Sequence, residues 1–395
     1  MRDDSAAPGS LEALRERNRA VVLHALRRGG AVSRAELARR TGLSRSTIST
    51  VVADLVAAGI ASEGGTSTPD GVGRPGVPVT LNAAAGAAVG IDVGAPAGRV
   101  VVADLGHDVL AEDTFALAAD LPLAAVLDAV ARAVRAALET AGLPAGRLIG
   151  AGLAIPGPVD RATGRVGEST TIASLAGIDL ARAVSQRLGV PVHVENDANA
   201  CAVAEVAWGA GAGAADVVYL KLSHGIGAGL ILDDRLYGGA IGTAGEIGHT
   251  TRTGEGELCR CGTRGCLETT AGIDAIARRA GQPDIAAVIA QADAGDVASR
   301  RALRDAGGEI GQAAAMICNV LNPRRIVIGG ELAAAWPHLE ASFHAALDRA
   351  AMHVAAAGAE VVPAALGSRA EALGALALVL RDGDRFTVEM IERTA

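Results

Sequence analysis

The chain has 395 residues, enough for two or three domains with cores of their own; it is half apolar yet only 2% aromatic. It has no run of eighteen apolar residues and "MRDDSAAPGS" lacks a signal-peptide core, which argues against a membrane protein and for a soluble cytoplasmic one, where five cysteines do not make a disulfide framework. The net charge of −8 hides an asymmetry: residues 1–62 carry ten Arg against six Asp or Glu, a balance of +4, which leaves −12 on the remainder.

A basic head on an acidic body points to a nucleic-acid contact confined to the N-terminus. There, "NRAVVLHALRRGGAVSRAELARRTGLSRSTISTVVADLVAAGIASEGG" predicts three helices. The first places Val21, Val22 and Leu26 on one face and ends at Gly29-Gly30. The second opens on "SRAE", where Ser33 caps the helix and Glu36 reaches back to the Ser33 amide, and it stops at Thr41-Gly42. The third starts with Ser44 as N-cap, and Ile48, Val51, Val52, Leu55 and Val56 follow at helical spacing.

Two short helices joined by a glycine turn form a helix-turn-helix, whose second helix presents its first residues to a major groove. Those residues are Arg45, Ser46, Thr47, Ser49 and Thr50: an Arg that forks onto guanine and hydroxyls that reach phosphates or base edges. The following "IASEGGTSTPDGVGRPGVPVTLN" predicts two strands around a Gly/Pro-rich loop, a wing with Arg74 at its tip for a minor groove or a phosphate. The alternative is a three-helix adaptor or dimerisation module.

From Ala87 the pattern changes. "AAVGIDVG" and "RVVVADLGHDVLAE" are β-rich, a helix follows from Leu121 to about Ala141, and "RLIGAGLAIPGPVD", "VPVHVENDANACAVAEVAWGAG", "DVVYLKLSHGIGAGLILDDRLYGG" and "RRIVIGGEL" alternate strands with helices. Several strands end in glycine-rich turns, so this is an α/β body whose ligands gather at strand ends. Lys221 is the chain's single lysine, which reads as genome composition.

These motifs, in order, resemble the ROK family of repressors, open reading frames and sugar kinases. They are the helix-turn-helix with "GRPGVPVTLN", then "AIPGPVD", "ENDANA", "GGAIGTAGEIGH", "CRCGTRGCLE" and "NPRRIVIGGEL", and the likeness spans about residues 11–380. The resemblance implies a winged helix-turn-helix domain over residues 1–82. Residues 83–395 then form a two-lobed actin/hexokinase-like body of the ribonuclease H type. Lobe one covers about 86–198 and lobe two about 199–380, with a C-terminal helix packing back.

Three of the five cysteines, Cys259, Cys261 and Cys266, join His249 in a Cys3His set that suits a closed, structural tetrahedral Zn2+ site. Gly262 and Gly265 let the backbone turn so that all three sulfurs face one ion, and the metal pins a loop that aromatic-poor packing leaves mobile. A redox-active thiol cluster is the alternative. Cys201 and Cys318, alone in Ala-rich surroundings, read as buried thiols.

The resemblance also implies sugar contacts: Asn196 and Asp197 in "VENDANA", Glu246 and His249 in "GEIGH", and Glu268 after the last cysteine. In a kinase, the residue matching Asp197 is the base for the phosphorylated hydroxyl. Solvated surface acids are the alternative. Where family members often carry an Asn- and Trp-containing segment, this chain has "TIASLAGIDL".

Phosphate binding reads as damaged. ATP-using members carry "DxGGTK", whereas this chain has "DVGAPAG": Asp92 and Gly94 remain, but Pro96 stands at the Thr position and Ala97 replaces the lysine. In "KLSHGIGAG", His224 stands where the kinases have Thr, while Gly225, Gly227 and Gly229 persist. ATP and Mg2+ are therefore not expected, and no catalytic residue is assigned unless Asp197 serves a kinase.

The expected function is a sugar-responsive transcriptional regulator, most simply a repressor of carbohydrate genes. It would bind an inverted-repeat operator in double-stranded DNA as a homodimer or higher oligomer, without a membrane partner. The competing readings are an active glucokinase-like enzyme with an accessory head, and a regulator that answers to a protein partner.

Overall fold

The computed structural model describes residues 11–64, 77–167, 172–252 and 254–381. The head comprises α1 (Leu11–Gly29), β1 (Val32–Ser33), α2 (Arg34–Thr41), α3 (Arg45–Ala57), β2 (Ala61–Glu63) and β3 (Pro78–Leu81), with the strands in one antiparallel sheet ordered β1-β3-β2. Local chemistry sets the helix ends. The Ser33 hydroxyl accepts the Glu36 N–H at 3.2 Å, the Ser44 hydroxyl accepts the Thr47 N–H at 3.1 Å, and Gly42 closes α2 at φ 70°.

Two details differ from expectation. The Glu36 carboxylate turns away from the Ser33 amide to take Arg39 at 2.8 Å and Arg40 at 2.6 Å, because two guanidiniums one turn ahead outcompete a single amide. Val21 is exposed, while Val22, Leu23 and Leu26 are buried with Leu37, Ile48, Val52 and Leu55. The i, i+4 pair Val22–Leu26 fixes the inward face, and one residue back rotates Val21 off it.

Lobe one follows with β4 (Ala87–Asp92), β5 (Ala97–Asp104), β6 (Val109–Ala116), α4 (Leu123–Thr140), β7 (Leu148–Ile155), the hairpin β8 (Val159–Asp160) and β9 (Arg165–Val166), α5 (Leu180–Leu188) and β10 (Val192–Asn196), and α6 (Asp197–Trp208) leads from it into lobe two. Lobe two contains β11 (Val217–Leu222), β12 (Ile226–Leu232), β13 (Arg235–Leu236), α7 (Leu267–Ala271), α8 (Ile273–Ala280), α9 (Ile285–Asp293) and α10 (Val297–Leu321). It ends with β14 (Arg325–Gly329), α11 (Trp336–Ala350), α12 (His353–Gly358), β15 (Glu360–Pro363) and α13 (Ala370–Arg381).

The two large sheets share one topology. Their orders are β10-β7-β4-β5-β6 and β13-β12-β11-β14-β15; counted within each sheet, both read 3-2-1-4-5. In both, the first three strands meander antiparallel and the last two add in parallel. This repeat is the two-lobed architecture expected from the sequence.

Helices α6 and α13 cross between the sheets, and glycine lets them approach. Gly90 on β4 and Gly152 on β7 are cross-strand partners, and a Cβ on either would lie 2.0 Å from a carbonyl oxygen of α13 (Ala372 and Ala375). A Cβ on Gly374 would lie 1.8 Å from the Ala200 oxygen of α6. The buried Glu205 carboxylate, near the end of α6, accepts the N–H groups of Ala210 at 2.7 Å, Ala365 at 3.0 Å and Leu366 at 2.9 Å, tying that helix to the chain that enters α13.

The head meets the body where Arg27 Nε donates to the Leu105 oxygen at 3.0 Å. Beside that bond the His107 ring stands edge-on to Trp208, the last residue of α6, at 6.5 Å between centroids. Among the described residues, no helix is long and apolar enough to cross a membrane.

Candidate functional site

A cleft of about 450 Å³ opens between the lobes at the carboxyl ends of β4, β10, β11 and β14, within the size range of small-molecule sites. Its centre is the β10–α6 junction. Asn196 serves as N-cap of α6: its Oδ1 accepts the N–H groups of Ala198 at 2.9 Å and Asn199 at 3.1 Å, and its amide donates to the Gly157 oxygen at 3.0 Å. Glu195, fully buried beneath, accepts the Asn196 N–H and the Asn199 side-chain amide, both at 2.9 Å, and pairs with Arg161 at 3.2 Å. Burial pushes the Glu195 carboxyl up, but His193, Asn199 and Arg161 outweigh it and hold the group below the usual range.

This scaffold aims Asp197 into the cleft, where its Oδ2 accepts from Lys221 Nζ at 2.8 Å. The same ammonium donates to Glu371 Oε1 at 2.8 Å, so β11, α6 and α13 converge on one cation. Burial acts to lower the Lys221 value, and the charges of Asp197 and Glu371 overcome it and raise it. Nearby, burial and then the charge of Glu371 push the Asp92 carboxyl up to about 8. Across the cleft, burial and then the charge of Asp197 push Glu246 up to about 7.

Of the five residues expected to meet a sugar, Asn196, Asp197, Glu246 and His249 line the cleft, although the Asn196 side chain is largely spent on capping. Glu268 stands behind the wall: its Oε2 accepts the Ile226 N–H at 3.1 Å and Arg260 at 2.8 Å, and Arg260 is the residue that faces the cleft. Lys221, Arg260 and Glu371 escaped the sequence reading. The described part of "TIASLAGIDL", residues 172–180, buries Ile172 and Leu175 in the lobe-one core and lines none of the cleft.

Gly94, Ala95, Pro96 and Ala97 form one wall of the other half, and Ser223, His224 and Gly225 form the facing turn. Both side chains of that turn are committed to carboxylates. The Ser223 hydroxyl donates to Glu331 at 2.9 Å, and His224 Nδ1 hydrogen-bonds with Asp274 at 3.0 Å. The cleft's two cations among the described residues, Lys221 and Arg260, are both paired with acids.

Beside the cleft, the ligand atoms of His249, Cys259, Cys261 and Cys266 all lie within 4.8 Å of one another, a cluster able to hold a metal ion. Cys259 Sγ is 3.4 Å from His249 Nδ1 and Cys261 Sγ is 3.6 Å from Cys266 Sγ, close to the roughly 3.8 Å edge of a tetrahedron with 2.3 Å metal–sulfur bonds. The turn is closed by Cys259 N–H to the Thr263 oxygen at 2.7 Å, with Gly262 at φ 91° and Gly265 at φ 66°. His249 joins the two sites, since its Nε2 lies 3.8 Å from Glu246. Cys201 and Cys318 are buried thiols elsewhere in the core.

On the head, Arg45, Ser46, Ser49 and Thr50 are exposed along the first turns of α3, while Thr47 is half-buried with its hydroxyl on Ser44 Oγ at 2.8 Å. Arg74 lies outside the described residues.

Comparison with known proteins places this geometry. The ROK family model matches residues 88–382, and a MarR family model matches residues 16–68. The xylose repressor of Bacillus subtilis (strain 168) is 29% identical over 370 residues, covering 92% of this chain and 94% of its own. A solved ROK family transcriptional regulator, described as a homologue of the E. coli Mlc protein, superposes with a TM-score of 0.83 at 25% identity, over 96% of this chain and 99% of that one. A ROK family glucokinase from Streptomyces griseus, solved with glucose and AMPPNP, gives a TM-score of 0.64 at 28% identity, over 74% of this chain and 99% of that one. With a family match across most of its length and a MarR-type head in front, the chain belongs to the ROK family.

Proposed function

We propose that this protein is a sugar-responsive DNA-binding transcriptional regulator, a repressor of carbohydrate genes, whose kinase-like body binds a sugar without phosphorylating it. Residues 1–82 read an inverted-repeat operator as part of a homodimer, and residues 83–395 form the effector body. Lobe one covers about 86–198 and lobe two about 199–380, and the protein works in the cytoplasm. Arg45, Ser46, Ser49 and Thr50 contact the major groove, Thr47 fixes the helix start, and Arg74 on the wing reaches the adjacent backbone or minor groove. Asp197, Glu246 and His249 take the sugar hydroxyls, with Asn196 and Glu268 holding the walls. His249, Cys259, Cys261 and Cys266 hold a structural zinc ion, which fixes the loop that carries Glu246.

One observation carries the non-enzymatic part of this reading. In the half of the cleft that a nucleotide would enter, Glu331 on the lining and Asp274 outside it engage Ser223 and His224, the side chains that would otherwise meet phosphates. Pro96 on the opposite wall has no N–H to donate. Phosphoryl transfer depends on positioning and on neutralising the transferred group, and no unpaired cation lines this half among the described residues.

The test is a gel shift on the gene's own upstream DNA with and without D-xylose, D-glucose and other monosaccharides, beside an assay for sugar-dependent ADP release. DNA binding that one sugar alters, with no ADP formed, is the expected result. Absence of DNA binding at low salt, or steady turnover of ATP, overturns the proposal.

A further inference from the structure

The chain's single lysine stands at the point where three elements meet in the effector cleft, and it has no place in the sequence-based account of sugar binding. Lys221 Nζ donates to Asp197 and Glu371 at 2.8 Å each, and the side chains of all three are 15–16% exposed. An ammonium has three protons, and the third has no partner among the described residues, although Lys221 lines the cleft. Asp197 Oδ1 accepts the Ala198 N–H at 2.8 Å and its Oδ2 accepts Lys221, so each oxygen keeps one lone-pair direction for a further donor.

We infer that Lys221 and Asp197 together read one free hydroxyl of the effector: Asp197 accepts that hydroxyl's proton in a hydrogen bond while Lys221 donates its third N–H to the same oxygen. The inference deepens, and rests on, the reading of the cleft as the effector site. It makes Lys221 a specificity-determining residue and names the ligand class more narrowly. The ligand is a sugar whose hydroxyl at this position is unmodified. A phosphate ester there would face the Asp197 and Glu371 carboxylates with Lys221 already shared between them. A deoxy position would leave the ion pair in place but its third ammonium N–H and the spare Asp197 lone pair without the partner that the hydroxyl supplies.

The single lysine makes the test direct, because selective 13C labelling of lysine gives one side-chain signal, and that signal is Lys221. D-xylose, D-glucose and N-acetyl-D-glucosamine are titrated into the labelled full-length protein with calorimetry in parallel, and the monodeoxy analogues of whichever sugar binds are then compared. The expected result is that the binding sugar shifts the lysine signal and that one monodeoxy analogue binds about ten- to hundredfold more weakly than the parent. In the Lys221→Met variant that penalty should shrink while the penalties at the other positions persist; a purely structural ion pair would not select one hydroxyl. Sugar binding with an unmoved lysine signal overturns the inference and leaves the effector reading standing, and the labelled wild-type protein decides this even where Lys221→Met fails to fold. Silence in calorimetry for every sugar removes both.

Discussion

Asp92 ends β4 at the floor of the cleft, where burial and then the charge of Glu371 push its carboxyl from 3.8 up to about 8. A carboxyl whose folded value is raised holds its proton more tightly in the folded chain. Its stabilising contribution is therefore complete below about pH 4 and lost as pH climbs through 8. Asp92→Asn should remove that dependence: unfolding stability measured in urea across pH 5 to 9 should fall less steeply than in the wild type, by up to about 4 kcal/mol over the window. A variant that follows the wild-type slope would contradict the environment described for Asp92. The residues converging here also mark the limit of sequence reading at this scale. Lys221 and Glu371 are 150 positions apart and meet only because two sheets and two helices bring them together. Nothing local to "YLKLS" says that its lysine is buried between acids.

Elements whose ends are set by neighbours a few positions away were readable, and elements set from a distance were less so. Ser33, Gly42 and Ser44 delimit α2 and α3 as expected because a cap is a bond across three or four residues. Asn196 carries the same signal, an Asn at a strand-to-helix change, and its side chain caps α6. Glu268 is harder to place from sequence, because Arg260, eight residues earlier, folds over it and faces the cleft. The Cys3His cluster was legible for the opposite reason, its four members lying within one short segment. For that element the expectation is about one zinc per chain by atomic absorption. Cys261→Ser should lose the metal, lower the melting temperature and weaken sugar binding while operator binding persists. Metal-free wild-type protein would refute it.

At the scale of the whole molecule, alternating strands and helices announce an α/β body and the family resemblance announces two lobes with a C-terminal helix packing back, whereas the repeated 3-2-1-4-5 order and the close crossing of α6 and α13 emerge only in the structure. That crossing depends on single missing methyl groups at Gly90, Gly152 and Gly374, and a glycine within a strand or helix pattern reads the same whether it is tolerated or required. The crossing gives α6 its consequence. It begins at Asp197 inside the cleft and ends at Trp208 against His107, beside the Arg27–Leu105 contact with the head. Twelve helical residues make a connecting rod of about 18 Å, and a rod clamped at both ends converts a small displacement at its tip into a tilt at its foot. Trp208→Ala should therefore yield a deaf regulator: sugar affinity and operator affinity each stay near wild type, while added sugar no longer changes the gel shift. Retained sugar control in that variant would mean that the message travels by another route.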